Sequence, residues 1–284
     1  MIWLNGRLVA REQAHIDPAD RGLLLGDGLF ETLRAYHGHI FRIEDHLQRM
    51  AAGAAELGIP LPLDPPSIAE AAHETLTANH LGATDAALRI TLTRGPGQRG
   101  LLPPEDPLPN LLISAAAYHP PASMDGFAAV TSKRARRNER SLTARLKTLG
   151  YLDNIIAQTE AAAAGADEAI MLNNQDLVAC GGRSNVFAVI DDVLTTPAIE
   201  EGALPGITRR IVLDLCKKER LEVRETSITR AQLRAAAELF VTNSLIEIMP
   251  LRHFDGAEYP IGAITKRLAE AYSRLTPRSW TTTQ

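Results

Sequence analysis

Lysine is scarce in this 284-residue chain: Lys133, Lys147, Lys217, Lys218 and Lys266 are five residues among 30 lysines and arginines. A chain that otherwise carries its positive charge on arginine makes each lysine in an apolar setting informative. A desolvated ammonium loses its proton and becomes a nucleophile, whereas a guanidinium stays protonated. Cysteine is scarcer still. Cys180 and Cys216 allow at most one disulfide and stand in no CxxC or Cys/His spacing for zinc, so the reading is a reducing compartment and no metal. A basic surplus is also missing. The net charge is −4 and the pI about 6.1, which argues against a dedicated nucleic-acid binder. The densest basic run, residues 133–140, is interrupted by neutral side chains and reads as a solvated strand end or loop. No apolar stretch approaches the length of a membrane span. The first residues lack the basic, apolar and small-residue succession of a secretory signal. The expectation is a cytoplasmic protein with neither membrane nor nucleic-acid partners.

With 45% hydrophobic residues over this length, the chain can bury a large core in two domains or one big one. Asn5-Gly6 and His37-Gly38 sit between short apolar runs and predict two tight hairpins. Ile43, Leu47, Met50, Ala54 and Leu57 recur at helical spacing and stop before Gly58-Ile59-Pro60. A second helix is expected over 67–79, then strands over 87–93 and 110–117. Between them lies a Gly/Pro-rich loop from Arg94, too long for a plain hairpin and of the kind that carries function or is disordered. Residues 118–126 break all periodicity and read as a linker between a small domain, 1–117, and a larger one, 127–284. In the larger domain, strands are expected at 127–132, 168–172, 177–179, 185–190, 193–196, 221–225 and 238–242. Helices are expected at 152–164, from 207 through 216, and at 262–274. Hairpins mixed with isolated helices give an α+β class rather than a doubly wound parallel sheet.

Four places could carry chemistry. Lys147 lies in the apolar segment Leu146-Lys147-Thr148-Leu149-Gly150 just ahead of a helix and is the candidate nucleophile. Gly206-Ile207-Thr208 opens a helix, where unpaired N–H groups, the dipole and a hydroxyl suit a phosphate; a simple Thr208 cap is the plainer alternative. Thr242-Asn243-Ser244, just past a strand end, offers small polar residues that leave backbone N–H groups for an anion, or a plain turn. Arg49 lies off the apolar stripe of its helix and can reach inward to a phosphate; a surface arginine would look the same.

Taken together, several ordered motifs resemble the fold-type-IV pyridoxal-phosphate enzymes, which include branched-chain and D-amino-acid aminotransferases and aminodeoxychorismate lyase. They are the run from Asp20 through Gly26-Asp27-Gly28-Leu29-Phe30-Glu31-Thr32, Asp45-His46-Leu47-Gln48-Arg49, the Lys147 segment to Asn154, Ser184-Asn185-Val186-Phe187, Leu204-Pro205-Gly206-Ile207-Thr208-Arg209, and Phe240 through Pro250. The likeness covers nearly the whole chain, and a match to all of these motifs is far more specific than a match to one.

That resemblance implies a two-domain α+β fold, with a smaller N-terminal α/β domain and a larger C-terminal domain built on a mixed, barrel-like sheet. It implies pyridoxal 5'-phosphate bound to Lys147 as a Schiff base, with Lys147 then shuttling the proton. Arg49, Ile207, Thr208 and Ser244 would hold the cofactor phosphate. Phe30 and Arg99 would face the substrate, an amino acid of D- or branched-chain type or a 2-oxo acid, in a homodimer. One position departs from the pattern: Cys180 stands where the family usually has a glutamate on the pyridine nitrogen, and a thiol cannot hold a protonated ring as a carboxylate does. The expected activity is an aminotransferase. A lyase giving 4-aminobenzoate and pyruvate is the runner-up, and a weakly active or non-enzymatic cofactor-binding paralogue follows from Cys180.

Overall fold

A computed structural model describes residues 1–121 and 125–277. The chain forms two compact units. Met1–His119 and Leu146–Gly150, with Thr276 onward among the described residues, make the first; Pro120–Arg145 and Tyr151–Leu275 make the second. The continuous span 127–284 expected for the second domain is thus interrupted at the Lys147 segment. The linker expected over 118–126 includes residues 122–124, which lie outside the described residues.

The first unit is a six-stranded sheet with helices packed on it. Its elements in chain order are β1 (Ile2–Leu4), β2 (Arg7–Val9), α1 (Arg21–Leu25), β3 (Gly28–Tyr36), β4 (His39–Ile40), α2 (Ile43–Leu57), α3 (Pro65–Ala78), β5 (Ala86–Thr93) and β6 (Asn110–Ala117). The sheet order is β2-β1-β6-β5-β3-β4. Both expected hairpins form, and Asn5 and His37 take the left-handed φ of 48° and 47° that such turns require. The apolar stripe of α2 is buried at Ile43, Leu47, Met50 and Ala54, against Leu29, Leu33, Leu88 and Ile90. Asp64 caps α3 by accepting the Ser67 N–H, which starts that helix two residues before the apolar pattern does.

In the second unit the elements are β7 (Phe127–Arg137), α4 (Leu152–Ala163), β8 (Glu168–Asn173), β9 (Val178–Gly181), β10 (Asn185–Ile190), β11 (Val193–Pro197), α5 (Ile207–Lys218), β12 (Val223–Thr226), α6 (Arg230–Arg234), β13 (Glu238–Asn243), β14 (Glu247–Phe254), β15 (Ala257–Glu258) and α7 (Ala263–Ser273). The mixed sheet runs β12-β11-β10-β13-β14-β7-β8-β9, with β15 on β14. Its far strand β9 also lies against β10 and β11, so the sheet curls back on itself. The α+β class with a curled, mixed sheet is the architecture present. The basic run is the solvated end of β7: Lys133, Arg134 and Arg136 are exposed. The Glu160 carboxylate accepts the Ser132 hydroxyl and the N–H groups of Lys133 and Arg134 at an irregularity in β7. β14 is an element that the sequence pattern hides, because Pro250 inside it argues against a strand. Pro250 faces Phe240 of β13 and lies ahead of the pairing with β7, which begins at Leu251. No helix among the described residues is long and apolar enough to cross a membrane.

The long loop after β5 is ordered by two buried arginines. Asp27 Oδ2 accepts 2.8 Å hydrogen bonds from Nε of both Arg21 and Arg94. Arg21 then donates to the carbonyls of Gly100, Leu101 and Leu102, and Arg94 to those of Leu57 and Gly58. One carboxylate therefore fixes the loop to both α1 and the end of α2. Asp27→Ala strands two buried guanidinium groups and is expected to lower unfolding free energy by about 3 kcal/mol. Urea denaturation checks the magnitude. Faster proteolysis within 97–106 checks the location, and unchanged loop cleavage would refute the pinning role.

Candidate functional site

In the first unit the chemistry gathers on one edge of β3. Residues 28–30 of β3 have β5 on one side, and their other side takes the Lys147 segment. The Phe30 N–H donates to the Lys147 carbonyl at 2.9 Å and the Leu149 N–H to the Gly28 carbonyl at 3.0 Å. Leu146 packs into the first unit's core. Lys147 is therefore held through its backbone, which leaves its side chain to be placed by its surroundings. Its Nζ stands 4.4 Å from the Phe30 ring centroid, and the Arg89 guanidinium carbon stands 3.8 Å from the same centroid. Two cations thus share one aromatic ring, whose electron-rich face attracts positive charge.

The neighbour of Phe30 on β3 is Glu31, 1% exposed. Its carboxylate takes both a fork and a ring. Arg49 donates from Nε to Oε1 at 2.8 Å and from Nη2 to Oε2 at 2.6 Å, while His46 Nδ1 lies 2.7 Å from Oε2. Burial pushes the Glu31 carboxyl up, but the Arg49 charge and the hydrogen bonds from His46 and Arg49 outweigh it and hold it at about 2, against the usual 4.5. Burial also pushes the His46 imidazole below its ordinary range, with the Arg49 and Lys147 charges acting in the same direction. A neutral His46 facing an ionised carboxylate, which can only accept, must donate its Nδ1–H. Glu31 and His46 belong to the quoted motifs, but the sequence reading gave them no role. The available signals were a glutamate in an otherwise apolar strand and a histidine one helical turn before Arg49. Arg89 was missed as well, because its closeness to Phe30 follows from the β3–β5 register rather than from any local pattern. Arg99, expected to face substrate, is exposed on the long loop.

In the second unit, α5 begins without a side-chain cap. Gly206 is its N-cap residue, which places Thr208 at the second helical position and rules out the simple Thr208 cap. Gly206 is required there by packing, since a Cβ would stand 2.1 Å from Asn185 Oδ1. Asn185, on β10, pairs with Thr242 of β13 and donates to the Leu204 carbonyl at 2.9 Å. Thr242 Oγ1 is buried and has no hydrogen-bond partner among the described residues. In the turn that follows, the Asn243 side-chain oxygen accepts the N–H groups of Leu245 and Ile246, both at 2.9 Å. That corrects one expectation: those two amides serve the turn and are not left over for an anion. Ser244 lies in the same turn. Cys180, on β9, is buried, and burial raises its thiol above the ordinary range, so it remains protonated at neutral pH. The site residues therefore fall into two sets: Phe30, Arg49, Arg99 and Lys147 belong to the first unit, and Cys180, Ile207, Thr208 and Ser244 to the second.

Residues 28–254 match the family model described as amino-transferase class IV. The chain belongs to the class IV aminotransferases. It is 34% identical to a branched-chain aminotransferase of Thermoproteus uzoniensis whose crystal structure holds norvaline, with a TM-score of 0.91 over 96% of this chain and 93% of that one. A D-alanine aminotransferase of Listeria monocytogenes is 32% identical over 95% of this chain and 94% of its own length. The 4-amino-4-deoxychorismate lyase of Pseudomonas aeruginosa is 30% identical, with a TM-score of 0.84 over 95% of this chain and 97% of its own. A further branched-chain amino acid aminotransferase, solved with pyridoxamine 5'-phosphate, matches at 30% identity and a TM-score of 0.90, covering 98% of this chain and 94% of its own. The chain is accordingly an enzyme of the pyridoxal-phosphate-dependent class IV family, with that family's fold.

Within this class IV enzyme the Glu31 network makes a pH prediction with a definite sign. A carboxyl depressed in the folded state stabilises the fold above its ordinary pKa, and that contribution is lost as pH falls. Between the usual 4.5 and about 2, wild-type protein is expected to lose about 3 kcal/mol of unfolding free energy from this group alone. Glu31→Gln should flatten the acid limb of a stability-versus-pH curve by that amount. Parallel curves for the two proteins would rule the network out as a source of stability.

Proposed function

We propose that this enzyme is an aminotransferase that moves an amino group between a small amino acid, of branched-chain or D-amino-acid type, and a 2-oxo acid. Lys147 is its catalytic amine and pyridoxal 5'-phosphate its cofactor. The observation that carries the reading is the placement of Lys147: a lysine in an arginine-rich chain, paired through its backbone to β3, with its Nζ against the Phe30 ring beside the Glu31–Arg49–His46 network.

The residues present suit the cofactor. A phosphate dianion needs oriented donors more than bulk charge. An uncapped 12-residue helix, an arginine whose guanidinium is fixed by a buried carboxylate, and an orphaned buried hydroxyl at Thr242 are such features. Arg49, the Ile207 and Thr208 backbone, the Thr208 hydroxyl and Ser244 would hold the phosphate, and Cys180 would face the ring. When bound, pyridoxal phosphate supplies the carbonyl carbon that takes and returns the amino group and the ring that accepts the electron pair released at the substrate Cα.

The protein's own part is positioning and proton handling. Lys147 Nζ takes the proton from Cα of the amino donor and returns it on the cofactor side, one amine acting in turn as base and acid. Phe30 sets where that amine rests. Glu31, through Arg49, fixes the direction of the phosphate donors, so that the reacting carbon is presented in one place. Arg89, exposed at the Phe30 ring, is suited to the substrate carboxylate, because a guanidinium binds a carboxylate as a planar fork. A lyase forming 4-aminobenzoate and pyruvate is the second reading, kept by the similarity to the Pseudomonas aeruginosa enzyme.

Wild-type protein should bind pyridoxal phosphate with a visible absorbance band that Lys147→Ala abolishes. D- and L-amino acids added one at a time should convert that band to the amine form of the cofactor. Release of 4-aminobenzoate from aminodeoxychorismate without amine-form conversion would instead select the lyase, and a wild type that takes up no cofactor would defeat both readings. Arg89→Ala should raise the KM for the oxo-acid acceptor about 10-fold to 100-fold, with a smaller change in kcat. A KM equal to wild type would remove Arg89 from the substrate site.

A further inference from the structure

Among the described carboxylates of the second unit, Glu168 is the most deeply buried, with no exposure at all. It begins β8, whose partner strand β9 sets Ile170 opposite Gly181 and Met171 opposite Cys180. Its carboxyl carbon lies 3.1 Å from where a Cβ on Gly181 would stand, and Oε1 lies 3.3 Å from the same point on Gly182. The acid therefore rests against the backbone of the two residues that follow Cys180. Few donors answer it. Ser184 donates its hydroxyl to Oε2 at 2.7 Å and Ala169 its N–H to Oε1 at 3.0 Å; the half-exposed Arg183 stays 3.8 Å away. On the other side of Gly182 is α4, whose Asn154 Nδ2 donates to the Gly182 carbonyl at 2.7 Å and whose Gln158 Nε2 donates to the Asp167 carbonyl at 2.7 Å. Gln158 Oε1, buried and without a hydrogen-bond partner among the described residues, is 3.4 Å from the Gly182 Cβ point, and the Asn154 carbonyl is 3.7 Å from it.

A fully buried carboxylate answered by one hydroxyl and the backbone amides of Ala169 and Gly182, with the Arg183 guanidinium no nearer than 3.8 Å, is poorly compensated, and a proton on it removes the buried charge. Burial accordingly pushes the Glu168 carboxyl above its usual range, more than Ser184 and Arg183 bring it down. The Cys180 thiol feels the same acid, while Arg137 acts on it in the opposite direction. Glu168 thus lies against the backbone of Gly181 and Gly182, next in the chain to the Cys180 thiol that stands where the resemblance puts a glutamate.

We propose that Glu168 is the positioning residue for the cofactor's ring nitrogen, acting through Ser184 and the Cys180–Gly182 backbone in place of a carboxylate at position 180. The inference rests on the cofactor reading above and adds a residue to it. Cys180 fills space and keeps its proton. Glu168 supplies the potential counter-charge that a thiol gives up poorly.

Three proteins test it: wild type, Glu168→Gln, and Glu168→Gln combined with Cys180→Glu. Each is titrated with pyridoxal phosphate, and the absorbance of the bound form is followed against pH. Glu168→Gln keeps the shape and should keep the thermal midpoint, yet bind the cofactor about tenfold more weakly and lose the pH-dependent shift of the band. Restoring a carboxylate at position 180 should bring the shift back, which a merely structural role of Glu168 would not produce. A Glu168→Gln band that titrates as in wild type, or a double variant that stays flat, overturns the proposal. Carboxyl-carbon NMR of the cofactor-free protein is the separate arm: a Glu168 carboxyl that titrates at or below the usual carboxylate range also overturns it. If wild type itself binds no cofactor, the cofactor reading fails, whereas a failure confined to the variants falls on Glu168 alone.

Discussion

Two backbone hydrogen bonds, Phe30 N–H to the Lys147 carbonyl and Leu149 N–H to the Gly28 carbonyl, are what the chemistry of the first unit depends on. They bring a segment that is remote in sequence onto the open edge of β3. Side-chain placement then follows from the two-residue period of a strand: Phe30 meets Lys147, and Glu31, pointing the other way, meets α2. Gly28 is part of the same constraint, since a Cβ there would stand 2.3 Å from the Leu92 carbonyl and 2.8 Å from the Leu149 side chain. Any side chain at position 28 would push either β5 or the Lys147 segment away.

The buried carboxylates sort by how many donors each meets, and their roles follow. Asp27 has two guanidinium groups and, although burial raises its pKa, those contacts leave it below its usual range; it acts as a clamp. Glu31 has a bidentate arginine and a histidine, and is ionised under any physiological condition. Glu238 accepts the Thr265 N–H and hydroxyl at the start of α7, where the helix dipole favours an anion. Glu168, met by the Ser184 hydroxyl and backbone amides with Arg183 no nearer than 3.8 Å, is pushed above its usual range by burial. A perturbed pKa marks a functional position only when structural need does not account for it; Glu168 has hydroxyl and amide donors but no buried cation beside it.

Much of this was legible in the sequence because it is local. The apolar spacing from Ile43 to Leu57, the hairpin dipeptides at Asn5 and His37, and the glycine ahead of Ile207 are written in consecutive residues, and the corresponding elements form where the pattern places them. Lys147 could be singled out by its scarcity and context. What the sequence did not reveal is non-local. That Arg49 faces Glu31, that Arg89 reaches the Phe30 ring, and that Glu168 lies under Gly181 depend on strand register and on helix packing across the sheet. β14 was hidden by Pro250, whose penalty disappears only because of where the β7 pairing starts. The α1 turn was hidden by its three exposed leucines, which offer no buried face to recognise.

The charge balance of the Glu31 network bears on how an anion is held. An ionised glutamate, a protonated arginine and a neutral histidine sum to zero, so the network exerts little long-range attraction on a phosphate. Its contribution is direction. Two donors on one edge of the guanidinium, Nε and Nη2, are fixed on the carboxylate, which leaves the plane of the group set before any ligand arrives, and a donor that need not reorganise is worth more than one that must. Were Arg49 a lysine, its single mobile ammonium could satisfy Glu31 or a phosphate but could not be aimed by one while serving the other. On the proposed reading, that is the reason an arginine stands at 49 and a lysine at 147: one position needs a charge that cannot be lost and can be aimed, the other an amine whose proton can leave.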